Sequence, residues 1–131
     1  MLILEPERVR LGGVVMAGVT AVAVSEEAVG LIEEVGEGGP YAVLVDVPRR
    51  SVRATVKQKL TESTATWPAV GSTAELEVEW SAGGRAGVRR KLNAMVVVIG
   101  VRYDLGASAA ACVVEMAGVS ADGAQPVVVM A

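Results

Sequence analysis

Glu75, Glu77 and Glu79 are the residues best placed to do chemistry, because they alternate with Ala74, Leu76, Val78 and Trp80 and put three carboxylates on one side of a strand. Such a row can hold a cation or supply a general acid and base. Along a strand, however, next-but-one residues stand about 6.6 to 6.8 Å apart. Any half-buried strand also yields this alternation, so a solvated or cross-strand-paired face is the simpler reading. Glycoside hydrolysis, the sharper reading of paired carboxylates, lacks a platform for stacking a sugar, since aromatic residues are 3% of the chain.

The other candidates also have plainer explanations. The Gly-rich stretches 36–39 and 83–87 lack the Lys-Ser/Thr of a phosphate-binding loop and read as hairpin turns. Cys112 is the single cysteine and lies in the apolar run 109–114; with no histidine to activate it, it reads as a buried, inert thiol. The same absences remove Ser-His-Asp and Cys-His catalysis, His-ligated metals and internal disulfides. Basic residues cluster at Arg49, Arg50 and Arg53, and again at Arg89, Arg90 and Lys91, and could meet phosphate. A net charge of -3 and a pI near 5.0 argue against a protein that holds nucleic acid by neutralising phosphates. These bases are therefore read as partners for the carboxylates, across strands or across a subunit boundary. No catalytic, cofactor-binding or metal-ligating residue is expected, and the chain is read as a non-enzyme.

The elements that must carry these residues are mostly strands. At 131 residues the chain fits one domain, 1–131, and 52% hydrophobic against 21% charged residues excludes intrinsic disorder. Valine and alanine dominate and phenylalanine is absent, which favours sheets built of small side chains. Each such side chain buries little area, so packing against other subunits is a natural supplement. The expected fold is all-β, a mainly antiparallel β-sandwich or barrel, with one short α-helix. That helix is placed at 25–36, where Ala28, Leu31, Ile32 and Val35 follow helical spacing, Ser25 can cap and Gly36 can terminate. The competing reading is a twisted strand over 29–35, because Gly30 costs about 1 kcal/mol inside a helix.

Strands are expected at 9–11 and 14–16, as one bent strand around Gly12 and Gly13, and then at 20–24, 41–47, 51–60, 73–80, 89–101, 109–119 and 127–130. In 51–60, Val52, Ala54, Val56, Gln58 and Leu60 share one face, with Arg53, Thr55, Lys57 and Lys59 opposite. A hairpin tip at 81–87, centred on Gly84, would pair Leu76 with Leu92, Ala74 with Ala94, Glu77 with Lys91 and Glu79 with Arg89. The run 95–101 is apolar on both faces and is expected to be covered on both. It is far shorter than the ~20 residues of a spanning helix, and the N-terminus has no basic region followed by a long apolar stretch. Cytoplasmic synthesis without a membrane is the expectation.

The order of pieces resembles the tail tube subunits of bacteriophages and phage-like particles. The resemblance rests on the turn at Gly39-Pro40, a strand ending Val45-Asp46-Val47-Pro48, a long charged strand, and a loop with Pro68 and Gly71. A hairpin follows, then a hydrophobic strand running into Gly100-Val101-Arg102-Tyr103, and a close at Val119-Ser120-Ala121-Asp122-Gly123 with Pro126-Val127. It covers most of the chain beyond Val14. It implies a two-sheet β-sandwich with one helix, copies joined edge to edge in stacked, hexameric rings, and a bore through which DNA passes without specific binding. On that reading the protein belongs to a virion tail, with itself and other tail proteins as partners. Glu75, Glu77 and Glu79 are the candidates to face the lumen, with Glu33, Glu34 and Glu37 as second choices. Arg53, Lys57, Lys59, Arg89 and Lys91 are the candidate subunit-contact charges. The alternatives are another tail component, such as a terminator, neck or baseplate protein, and a β-sandwich module for a small ligand.

Overall fold

A computed structural model describes residues 1–47, 49–60, 68–81, 88–105 and 110–130. Its regular structure is all strand: β1 (Leu2–Leu4), β2 (Arg8–Leu11), β3 (Val14–Val15), β4 (Val19–Val29), β5 (Ile32–Val35), β6 (Ala42–Asp46), β7 (Arg49–Lys59), β8 (Thr73–Ser81), β9 (Arg89–Leu105), β10 (Ala110–Gly118) and β11 (Val127–Met130). Nine strands form one antiparallel sheet in the order β1-β4-β7-β10-β9-β8-β2-β3, and β11 adds to β9 beyond the end of β10. Strands β5 and β6 make a separate two-stranded hairpin.

The large sheet is rolled around one core. Its buried cluster joins Ile3 of β1 to Val9 and Leu11 of β2, near opposite ends of the strand order, through Val22, Val56, Val114, Val98, Leu92 and Val78. A flat sheet cannot bring its two ends onto one cluster. In β7 the expected inward face is found, with Val52, Ala54, Val56 and Gln58 buried. Gln58 is the buried polar exception among the described residues, and its Nε2 donates to the Ala17 carbonyl at 2.7 Å. That bond, with Lys59 N–H to Gly18 O at 2.8 Å, clamps the entry to β4 and keeps the amide group satisfied.

The expected helix is absent: no described residue is helical. Strand β4 continues to Val29, each residue through Val29 still paired to β7, and Gly30 turns the chain at φ 72° into β5. The physical reason is that Leu31, Ile32 and Val35, the intended buried stripe, meet no core and are exposed. A helix this short depends on burying its apolar face, whereas the strand gains a full ladder of backbone bonds with β7. The residues around Gly12-Gly13 are also not one bent strand. Both glycines have positive φ, 61° and 81°, the conformation of a tight two-residue hairpin turn that joins β2 to β3.

The β8–β9 hairpin pairs Val78 with Leu92, Leu76 with Ala94, Glu77 with Asn93, Glu79 with Lys91 and Ser81 with Arg89. The register is two residues from the expected one, and the tip 82–87 lies outside the described residues. Because a shift of two preserves the facing of every side chain, Leu76 and Leu92 are still both wholly buried on one side. Lys91 Nζ reaches Glu77 diagonally at 3.8 Å. Lys91→Glu is therefore expected to destabilise the fold by only about 0.2 to 1 kcal/mol. Urea unfolding checks this, and a loss of several kcal/mol would contradict a surface pair.

Strand β9 is covered on one face only over 95–101. Val96 and Val98 are wholly buried, but Met95 and Ile99 are exposed. Glu115 pairs with Gly100 and Met116 with Val98, so Ile99 is the extra residue of a β-bulge. Beyond it the alternation restarts, with Val101 packing against the core.

Candidate self-assembly surface

The three glutamates share the outer face of β8 with bases on both flanks. Glu79 is paired with Arg8 of β2 and Lys91 of β9, and Glu77 with Arg10 and Asn93. Arg10 and Lys91 lie 4.0 and 3.8 Å from the Glu77 carboxylate. Glu75 is exposed, opposite Met95. This face is close to charge-balanced, three carboxylates against Arg8, Arg10 and Lys91. Among the described residues no group of His, Cys, Asp and Glu could hold a metal ion.

The expected contact charges divide between two places. Arg89 and Lys91 are satisfied within the chain, Arg89 by Glu7 at 3.6 Å and Lys91 by Glu77. Arg53, Lys57 and Lys59 stand on β7, between β4 and β10 and not beside the β8 glutamates. Arg53 and Lys57 are exposed and have no carboxylate within ion-pair distance among the described residues.

Beside these bases runs a shallow trough. Directly paired residues share a side of the sheet, so Leu2, Ala23 and Thr55 form one outward row and Leu4, Ala21 and Lys57 the next. The alanines form a low floor between leucines on the edge strand and Thr55 and Lys57 on β7, with Arg53 one row beyond, opposite Ser25. Leu2 and Leu4 are 64% and 67% exposed, so among the described residues nothing covers this trough.

The second surface is the β5–β6 hairpin, where the second-choice residues Glu33 and Glu34 are found. Ile32 pairs with Asp46, Glu34 with Leu44 and Val35 with Ala42, and the ladder carries a bulge between Glu34 and Val35. Every residue of both strands is exposed. A Cβ at Gly36 would lie 2.8 Å from Val43 Cγ1, so a larger residue there would have to turn the exposed Val43 side chain.

Open strand edges complete the picture. Strand β1 covers β4 only as far as Val24, whose N–H donates to Met1 O. Strand β8 covers β9 only to Val97, with Ser72 and Gly71 bonding Val98 just beyond. On those sides Ser25–Val29 and Ile99–Leu105 have no strand partner among the described residues. Unpaired ladders of this kind are templates for another chain.

The segment after β10 is ordered by Asp122. Its Oδ1 accepts from Ser120 Oγ at 2.8 Å and from the Ala124 N–H at 3.0 Å. The Ala124 N–H, then the Ser120 hydroxyl and its own backbone N–H, hold the Asp122 carboxyl below its ordinary value. A carboxyl lowered on folding stabilises the folded state above its unfolded pKa of about 3.9, and that contribution is lost as pH falls through the lowered folded value. An NMR titration should place the Asp122 midpoint below that of a free aspartate. Asp122→Asn should remove that acid-side dependence.

Cys112 is buried, and burial pushes its thiol pKa up, in keeping with an inert side chain. Two open cavities of about 550 and 520 Å³ flank Glu26, Val52 and Gln125. No aromatic or thiol side chain lines them, and Glu26 is engaged by Arg50 at 4.0 Å and Gln125 at 3.4 Å. They give little support to a small-ligand module. No described helix is long and apolar enough to cross a membrane.

The hairpin and the trough were not singled out by residue patterns as surfaces. A signal was present: from Leu11 to Pro48 the sequence has six acidic residues and no Lys or Arg, and from Arg49 to Lys59 five bases and no acid. No protein-family model matches the chain, and no curated protein is significantly similar to it in sequence.

Proposed function

We propose that this chain is a structural subunit that assembles with copies of itself into rings that stack as a tube, in the manner of a phage tail tube, and that it performs no catalysis. The observation that carries the reading is the β5–β6 hairpin. It holds exposed apolar side chains, among them Leu31, Ile32, Val43 and Val45, on a two-stranded unit that is marginal in water by itself. Exposed apolar area of this kind marks an interaction site, and the open edges of β4 and β9 offer further contacts. A virion tail is the corresponding location, with other tail proteins at the ends of the tube. DNA would pass as a transient passenger: the balanced charge around Glu75, Glu77 and Glu79 offers no row of bases to hold it by counterion release.

Negative-stain microscopy and sedimentation of the purified chain at micromolar concentration test the proposal. Tubes are the expected result. Single rings that do not stack would shift the assignment to a terminator or neck component. A monomer that stays folded and soluble at high concentration would overturn it.

A further inference from the structure

We infer that the acidic β5–β6 hairpin of one copy docks in the trough between β1 and β7 of a second copy, a contact that rests on the reading of the chain as a self-assembling subunit. The two surfaces match in chemistry. One face of the hairpin sets Ile32 and Leu44 diagonally across the ladder, with Glu34 and Asp46 on the other diagonal, so it is half apolar and half acidic. The trough is divided in the same way, with Leu2 and Leu4 on one wall, Ala21 and Ala23 as the floor, and Thr55 and Lys57 on the other wall, with Arg53 one row further along β7 opposite Ser25. Seated there, the apolar side chains cover the leucines and the low floor, while the carboxylates meet two bases that have no ion-pair partner among the described residues of their own chain. Glu34 and Asp46 likewise lack one.

The occupant is a second copy. Within one chain the hairpin stands beyond Val29, and Ala21 lies eight residues back along β4, about 27 Å at 3.4 Å per residue. The exposure of every hairpin strand residue, and of Leu2 and Leu4, shows that the two surfaces do not meet in the same molecule. Two different patches on one molecule give a head-to-tail contact, which propagates into a ring or a filament instead of stopping at a symmetric dimer.

Two charge-reversed proteins test this: E34K/D46K, with a basic hairpin, and R53E/K57E, with an acidic trough. All four positions are exposed, and circular dichroism confirms that each variant folds. Each alone should lose association and sediment as a monomer at concentrations where the unaltered chain assembles, because its hairpin and trough carry like charge. Mixed, they should regain assembly in alternating order, since each hairpin then faces a trough of opposite sign. If either variant assembles alone as well as the unaltered chain, or if the mixture stays dissociated, the docking is wrong while self-assembly stands. An unaltered chain that is itself monomeric overturns both.

Discussion

Leu92→Ala is expected to cost about 2 to 5 kcal/mol of folding stability, the range for truncating a fully enclosed leucine. Leu92 is wholly buried and sits where β9 is paired on both sides, opposite Val78 of β8 and Val129 of β11. Removing its isobutyl group leaves a void that three hydrogen-bonded strands cannot easily close. For a chain whose core is mostly valine, few other side chains are large enough to move into the space. Met95→Ala, three residues further on and on the outer face, is the control. Met95 is exposed, and surface changes of this kind usually stay within about 0.5 kcal/mol. Urea unfolding of both variants decides the point: equal costs at the two positions would contradict the assignment of the faces of β9.

Excising the β5–β6 hairpin should abolish self-association while leaving the rolled sheet folded. The last β4–β7 pair is Val29 with Arg49, and an Asn-Gly turn is suited to closing an antiparallel pair at that point. Replacing 30–48 by Asn-Gly therefore removes the hairpin without disturbing the ladder behind it. Sedimentation velocity should show a monomer across the concentrations at which the complete chain assembles, with a cooperative unfolding transition retained. If association is undiminished, the contacts must lie on the open edges of β4 and β9 instead.

The facing of the strands was legible in the sequence, and their partners much less so. Alternation over 73–80 and 51–60 identifies the buried sides of β8 and β7 because a side chain's facing depends only on its parity. Register depends also on the turn, and the glycines of 82–87 fix no single centre, so a slip of two cost nothing in the apolar and polar matching. Residues 25–36 were misread because helical spacing of apolar residues says only that they share a helix face, not that anything is there to receive it. Tertiary pairing with β7 decided that segment. The β8 glutamates were correctly placed on one face, with Lys91 of β9 as one of their bases, but the other two, Arg8 and Arg10, came from β2, a strand far away in sequence. The trough was hidden for the same reason, because the pairings of β1 and β7 with β4 build it from separate segments; the acidic stretch before Arg49 and the basic stretch after it were visible in composition, but not that they lie on two exposed surfaces.

The bulge at Ile99 also bears on how this chain can change length. Strand β9 behaves like a reading frame in which each deleted residue would turn all that follows from inside to outside. On one side of Ile99 the inward set is Leu92, Ala94, Val96 and Val98; on the other it restarts at Val101. Loss of Ile99 itself would leave both sets facing as they do now, whereas loss of Val97 would force one of them around. Single-residue deletions along β9 should therefore be tolerated at the bulge, at Ile99 or the adjoining Gly100, and nowhere else in its paired core, making that dipeptide the place where descent could shorten this strand without rewriting it.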